Sequence, residues 1–370
     1  MQGERDRIRD LDEPARSEAI ARAAGALRDG RLVVFPTETV YGVAARADLS
    51  PGVDRLRGVM LQPEQPLALH ASGPEDALAG IELHTPVARR LAATLLPGPV
   101  TLLLAQSAEQ LEARRAALRV ARGVIDDGSE AAVRLPDHDI ARALLDAAGG
   151  PVVATALGAT RFAAGTGETA SLSPDWTTGQ GEVLDDGPCR FAMPSTRVRI
   201  GADGRLEVSP EGPLSEGDVL ARLEIRVLFA CTGNTCRSPM AEALARSIAT
   251  EREPNGVTFR FESAGVAAGE GVPASAGAFE AALERGLDLS DHRSRRVTRR
   301  MVELADAVYT MTPSHAQAIM TMLPTAAHKI EPLDPRGLIA DPIGQPVEVY
   351  AQTLEELEPL IRARLKELEP

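Results

Sequence analysis

The chain has 370 residues, 44% of them hydrophobic and 25% charged, with aromatics at only 3%. That is the composition of a globular protein with room for two cores built on aliphatic side chains. A formal net charge of −13 argues against a general affinity for nucleic acid or anionic membrane, three irregularly spaced Cys do not make a disulfide framework, and no stretch approaches the roughly 18 apolar residues of a membrane span.

Residues 1–10 are charged, are expected to be frayed, and contain no apolar segment of the kind a secretory signal needs. A cytoplasmic setting, which is reducing, suits the free thiols. Residues 17–29 have the pattern of an Ala-rich amphipathic helix, and residues 32–35 read as a short buried strand running into Pro36. Further strands are predicted at 100–105, 131–135 and 152–154, with a helix at 139–148 stopped by Gly149 and Gly150. Residues 158–187 are rich in Gly, Thr, Ser and Pro and read as irregular loop. Residues 198–200 and 205–208 form a predicted hairpin around a Gly/Asp turn, and the Pro/Gly run at 209–213 breaks the chain.

The domain boundary is placed within residues 210–224, giving an N-terminal domain over 14–215 and a C-terminal domain over 225–368. After the boundary, strands at 225–230, 257–262, 306–310 and 328–331 alternate with helices at 239–251, 273–286, 298–304, 313–322 and 346–368. Alternation of this kind predicts an α/β fold with a parallel sheet and helices on both faces.

The run Cys231, Thr232, Gly233, Asn234, Thr235, Cys236, Arg237, Ser238 lies between a buried strand and a helix. Amide N–H groups and a helix dipole converge on such a loop and favour an anion there. A thiol at that point is favoured as the thiolate, and an Arg closing the loop can clamp two phosphoryl oxygens. About 110 residues later, Asp341 sits ahead of Pro342 and the last helix, where a general acid could be held.

These runs, with Ser263, Ala264 and Gly265 between them, resemble the low-molecular-weight protein tyrosine phosphatase family over residues 225–368. The resemblance implies a flavodoxin-like four-stranded parallel sheet and a two-step, metal-free and cofactor-free hydrolysis of a phosphorylated protein. Cys231 would form a phosphocysteine. Arg237 and the loop residues Thr232, Gly233, Asn234, Thr235, Cys236 and Ser238 would hold the phosphoryl oxygens. Asp341 would protonate the leaving group, and Ser263 would support the loop. Thr235 stands where tyrosine-specific members carry an aliphatic residue and is similar to the protein-arginine phosphatase branch. Ile343 and Gly344 follow Asp341-Pro342 where tyrosine-specific members often place aromatic residues. Both features lean toward phosphoarginine over phosphotyrosine. Cys236 also offers Cys231 a reversible disulfide partner.

In the first domain, Thr37, Thr39, Tyr41, Thr101, Arg134, His138, Ser195 and Thr196 cluster at predicted strand ends and could form one polar pocket. In this order they resemble the threonylcarbamoyl-AMP synthase family, which acts in tRNA modification, over residues 14–215. The resemblance implies a twisted open α/β sheet and binding of ATP and threonine. Where the family carries Lys-x-Arg before a Pro, this chain reads Met60, Leu61, Gln62, Pro63. Gln65 replaces a common Lys, and Ala156, Leu157 and Gly158 replace Ser-x-Asn. Several charge-assisted hydrogen bonds of about 1.5–3 kcal/mol each are lost to a polyphosphate. The reading is therefore an active cysteine phosphatase fused to a synthase-like domain that binds a small molecule, a nucleotide or a partner. The alternatives are a threonylcarbamoyl-AMP synthase with an accessory phosphatase fold, and a ligand-sensing module that regulates the phosphatase.

Overall fold

A computed structural model describes residues 7–163, 176, 181–251 and 255–370. The chain divides into two compact units, Met1–Arg222 and Leu223–Pro370. Among the described residues no helix is long and apolar enough to cross a membrane.

The first unit carries α1 (Glu13–Arg28), β1 (Leu32–Phe35), β2 (Gly42–Arg46), α2 (Ser50–Val59), β3 (Ala68–His70), α3 (Pro74–Leu78), α4 (Pro86–Leu95), β4 (Val100–Ala105), α5 (Ala108–Leu118), β5 (Glu130–Arg134), α6 (Asp139–Ala147), β6 (Val152–Ala156), β7 (Gly181–Val183), β8 (Thr196–Ile200), β9 (Leu206–Val208) and α7 (Glu216–Leu220). Its described strands form one mixed sheet in the order β7-β1-β2-β6-β3-β5-β4-β8-β9. The apolar runs of β1 and β4 are buried along nearly their whole length, as central strands covered on both faces must be. One core cluster joins α1 and α6 to one side of β1, β2 and β6, and another gathers α2 with Phe162 on the other side.

Two expectations change here. Residues 7–10 are held rather than frayed: Ile8 is buried, its N–H donates to Asp185 O at 2.7 Å, and Arg9 makes two bonds to the Asp186 carboxylate. Within the stretch read as irregular loop, residues 164–175 and 177–180 lie outside the described residues. Residues 181–183 are β7, which pairs in parallel with β1. Gly181 permits that pairing, since a Cβ there would overlap Leu32 O at 1.6 Å.

The second unit carries β10 (Glu224–Cys231), α8 (Arg237–Thr250), β11 (Thr258–Gly265), α9 (Ala276–Glu284), α10 (Arg299–Leu304), β12 (Ala307–Thr310), α11 (Pro313–Met322), β13 (Ile330–Pro332) and α12 (Val347–Glu367). The strand order is β11-β10-β12-β13 and every pairing is parallel. This is the flavodoxin-like winding, in which the chain reverses direction across the sheet beside its first strand. Successive side chains of β10 alternate between two cores. Ile225, Val227, Phe229 and Cys231 face α8, α9 and α12, whereas Leu228 and Ala230 face α10 and α11. The crevice at the carboxyl end of β10 is the place where such sheets bind ligands.

Helix α9 shows how closely the first of these cores is packed. Gly277 has no Cβ because one would meet the Tyr350 ring at 2.4–2.9 Å. Replacing a helical Gly by Ala ordinarily stabilises by about 1 kcal/mol. Here the overlap with a buried ring reverses the sign. Gly277→Ala is expected to lower the denaturant midpoint of the second unit by about 1–3 kcal/mol of stability, measured by chemical unfolding of the full chain.

Candidate active site at the carboxyl end of β10

Cys231 ends β10, Thr232 to Cys236 form the loop, and Arg237 begins α8. The loop turns on Asn234, which has φ +55° and is fully buried. Asn tolerates this left-handed conformation better than most residues because its short side chain bonds locally. The backbone N–H of Arg295 donates to Asn234 Oδ1 at 2.9 Å, which fixes the orientation of the amide. Nδ2 therefore donates, to Ser238 Oγ at 3.0 Å and Ser263 Oγ at 2.9 Å. Ser238 Oγ lies 3.0 Å from Cys231 Sγ, and the Asn234 backbone N–H donates to the same sulfur at 3.2 Å. The Asn234 N–H thus donates to a sulfur that is only 2% exposed, and the Ser238 hydroxyl lies between that sulfur and Ala264 O, 3.4 Å away.

Arg237 is buried at the start of α8. Its Nη1 donates to Ile339 O at 3.0 Å, its Nη2 pairs with the Asp341 carboxylate, and its Nε is buried without a partner among the described residues. Asp341 is 40% exposed at its side chain, and its Oδ1 accepts from the Ile343 N–H at 3.3 Å. Guanidinium and carboxyl group thus meet from two separate segments, and the thiol stands at the other end of the guanidinium's own loop. Thr235 is half-buried, its carbonyl accepts from Ser275 N–H at 2.8 Å, and its Oγ1 is 3.7 Å from Cys236 Sγ. Cys236 points into the core and lies 3.1 Å from Ser275 Oγ; it and Cys231 are free thiols. Cys189 is a third free thiol in the first unit, and burial pushes it up to about 11. Gly233 and exposed Thr232 complete the loop.

Several residues beyond the predicted site residues support this loop. His292 Nε2–H donates to Asn234 O at 2.7 Å. His315 Nε2 is 2.8 Å from Thr232 Oγ1. Gly265 lies against the loop so closely that a Cβ would meet Thr232 O at 2.4 Å. The Gly265 approach had a signal in the sequence, since it follows the quoted Ser263-Ala264 pair. The two His had none, because their partners lie 58 and 83 residues away.

In the first unit a cavity of about 180 Å³ is lined by Thr37, Tyr41, Thr101, Arg134 and Ser195 among the predicted residues. Thr101 Oγ1 and Ser195 Oγ are 2.8 Å apart. Arg134 donates to Thr37 Oγ1 at 3.2 Å and to Glu38 Oε1 at 3.4 Å, and it also reaches Thr39 Oγ1 behind the wall. Burial pushes the Glu38 carboxyl up, with Arg134 opposing. The Tyr41 hydroxyl turns away to Asp185 Oδ1 and Gly187 O. Three predicted members are absent from the lining: Thr39, His138 and Thr196. Thr196 pins the chain at Leu214, accepting from its N–H at 2.9 Å. His138 faces Asp186, at 3.4 Å, because the α6 N-terminus directs it toward the Arg9 cluster. The cavity also holds His70, whose burial beside Arg134 pushes it down to about 3, together with Met60, Gln65 and exposed Arg197. Among the described residues no group of three or more His, Cys, Asp or Glu is placed to hold a metal ion.

The Asn234 network predicts a sharp phenotype. Asn234→Ala removes three buried hydrogen bonds and puts a Cβ-bearing apolar residue at positive φ, so it is expected to cost about 2–4 kcal/mol of stability. Turnover of p-nitrophenyl phosphate should fall on the order of tenfold or more, because the Ser238 hydroxyl beside the sulfur loses its orientation. Unchanged turnover in a folded variant would rule out the network's role.

Comparison with known proteins gives each half of the chain its own family. Residues 25–209 match the Sua5/YciO/YrdC family model, described as telomere recombination, and residues 226–370 match the low molecular weight phosphotyrosine protein phosphatase model. The protein-arginine-phosphatase of Bacillus subtilis is 42% identical over 147 residues, 38% of this chain and 95% of that protein. The threonylcarbamoyl-AMP synthase of Pyrococcus abyssi is 30% identical over 222 residues, 59% of this chain, which spans 62% of that relative's length. The crystal structure of a low molecular weight protein tyrosine phosphatase from T. tengcongensis aligns with 41% identity and a TM-score of 0.37, covering 39% of this chain and 99% of that one. The chain is thus a fusion that belongs, in its first half, to the Sua5/YciO/YrdC family and, in its second, to the low molecular weight phosphotyrosine protein phosphatase family.

Proposed function

We propose that the second unit removes the phosphoryl group from phosphoarginine in proteins. The observation that carries the chemistry is the convergence of Cys231 Sγ, the Arg237 guanidinium and the Asp341 carboxyl group on one loop. Cys231 Sγ attacks phosphorus, and the P–N bond breaks. Asp341, protonated at that moment, gives its proton to the leaving guanidine nitrogen. Water then attacks the phosphocysteine, Asp341 takes its proton, and inorganic phosphate leaves as the thiolate is restored. The loop amides and Arg237, whose Nε is an unpartnered buried donor, would bind the phosphoryl oxygens.

Thr235 and the acid loop favour arginine over tyrosine. A half-buried hydroxyl at Thr235 suits a polar guanidinium, whereas a branched alkyl group suits a phenyl ring. Ile343 and Gly344 supply no aromatic wall beyond Asp341. The likeness to a protein-arginine-phosphatase supports the same choice. Free thiols at Cys231 and Cys236 suit a reducing cytoplasm.

For the first unit we infer a pocket for a small carboxylate-bearing molecule, with threonine the natural candidate, in place of ATP turnover. The volume is below the roughly 300 Å³ at which pockets for drug-sized ligands begin. Arg134 and Arg197 are the two lining arginines for a carboxylate: Arg134 meets Glu38 and two Thr through Nη2 alone and keeps a buried Nε without a partner among the described residues. Met60 and Gln65 are neutral where a polyphosphate needs cations.

The chain is expected to release phosphate from a phosphoarginine protein with kcat/KM at least about tenfold above a phosphotyrosine peptide, a difference of about 1.4 kcal/mol. Cys231→Ser should abolish release, Asp341→Asn should lower kcat by about 10²–10⁴, and Thr235→Ile should move the preference toward phosphotyrosine. Equal release by native chain and Cys231→Ser would sink the reading. In calorimetry the full chain should bind threonine, with the heat lost in Arg197→Ala, and should release no pyrophosphate from ATP with threonine and bicarbonate. Pyrophosphate release would overturn the reading of Met60 and Gln65.

A further inference from the structure

One imidazole beside the Cys231 loop has no part in the steps above. His315 lies in the first turn of α11 and is 6% exposed. Its Nε2 is 2.8 Å from Thr232 Oγ1 and its Nδ1 is 2.9 Å from Thr312 Oγ1. Thr312 caps α11, so its Oγ1 already accepts the His315 backbone N–H, at 3.4 Å. The Ser314 hydroxyl lies 2.8 Å from the same oxygen. Either hydroxyl of that pair can be the donor; with Ser314 donating, the Thr312 proton is left for the Nδ1 lone pair. Nε2 then carries the ring proton and donates to Thr232 Oγ1. With its oxygen occupied in this way, the Thr232 hydroxyl has its own proton free to donate outward. Thr232 follows the nucleophile directly and is the exposed hydroxyl of the loop.

We infer that His315 is a positioning residue, which orients the Thr232 hydroxyl as a hydrogen-bond donor toward the phosphoryl group held by the loop. The inference rests on the phosphatase reading of that loop. A neutral ring is what the relay requires, since an imidazolium would donate at both nitrogens and break the Thr312 end. Burial pushes His315 below its ordinary value, Arg237 adds to that push, and Asp341 opposes it. Those two are the charged groups that act on the ring from the neighbouring α8 and the acid loop. The hydroxyl so fixed adds one directed donor to the loop amides without adding charge. It thereby stabilises the developing charge on phosphorus oxygens for any leaving group.

The test uses the full chain with p-nitrophenyl phosphate as substrate and orthovanadate as inhibitor, so it does not depend on the natural leaving group. Thr232→Val and His315→Ala are each expected to lower kcat and vanadate affinity on the order of tenfold, with little change in melting temperature. The double variant should be no worse than either single one, because both remove the same donor. His315→Gln should recover part of the loss, since its amide N–H can donate to Thr232. In ¹⁵N spectra of histidine-labelled protein, the signal lost in His315→Gln should be that of a neutral ring protonated at Nε2. A ring protonated at Nδ1, losses that multiply in the double variant, or native kcat in Thr232→Val would each overturn the inference. If the native chain hydrolysed no phosphomonoester, the phosphatase reading itself would fail. The tautomer spectrum would still decide the relay.

Discussion

Everything at the phosphatase site depends on the direction of one amide. The Arg295 N–H sets Asn234 Oδ1, so Nδ2 must face Ser238 and Ser263, and the Ser238 hydroxyl is held beside Cys231 Sγ with its proton turned away from Asn234. Polarity runs from the backbone of one segment, through a side chain, to the hydroxyl beside the nucleophile. The network is dry, with Asn234, Ser238 and Ser263 at most 1% exposed. In such surroundings water cannot substitute for a missing partner, and a half-satisfied network is worse than none. The positive φ of Asn234 belongs to the same arrangement, because it turns both the amide side chain and the backbone N–H toward the loop's interior.

The two units use the ends of strands differently. In the second, a parallel sheet brings Cys231 to the point where the winding reverses, and a helix N-terminus follows within one loop. An anion site is nearly unavoidable there. In the first, strands β1, β4, β5 and β8 deliver hydroxyls and two arginines to a common cavity. Arg134 shares its Nη2 among Glu38 and its neighbours, and its Nε is buried without a partner among the described residues. One half thus presents a cysteine at an anion-binding loop, and the other a polar cavity.

The legible parts of the sequence were those with a local cause. The strands β1 and β4 and the helix α11 were readable to the residue, because apolar runs bounded by Pro, Gly or a Thr-Pro cap leave few alternatives. The strands β3 and β7 were not, since each has only three residues and is held by partners far away in the chain. The pairing of β7 with β1 spans about 150 residues, and no local pattern reports it. The same divide runs through the sites. Cys231, Arg237 and Asp341 carry a spacing that chemistry recognises. His292 and His315 become visible only when the fold brings them to carbonyl and hydroxyl partners. His138 and Thr196 failed in the opposite way: their residue types fitted a pocket, but ordinary structural bonds had already claimed them.

The alternation along β10 has a consequence for how the site is supported. The thiol belongs to the face packed on α8, α9 and α12, whereas the imidazole next to Thr232 comes from α11 on the opposite face. Two separate cores therefore meet at a single loop, each supporting a different reacting or orienting group. The support of the sulfur and the support of the imidazole are thus drawn from different sets of core residues.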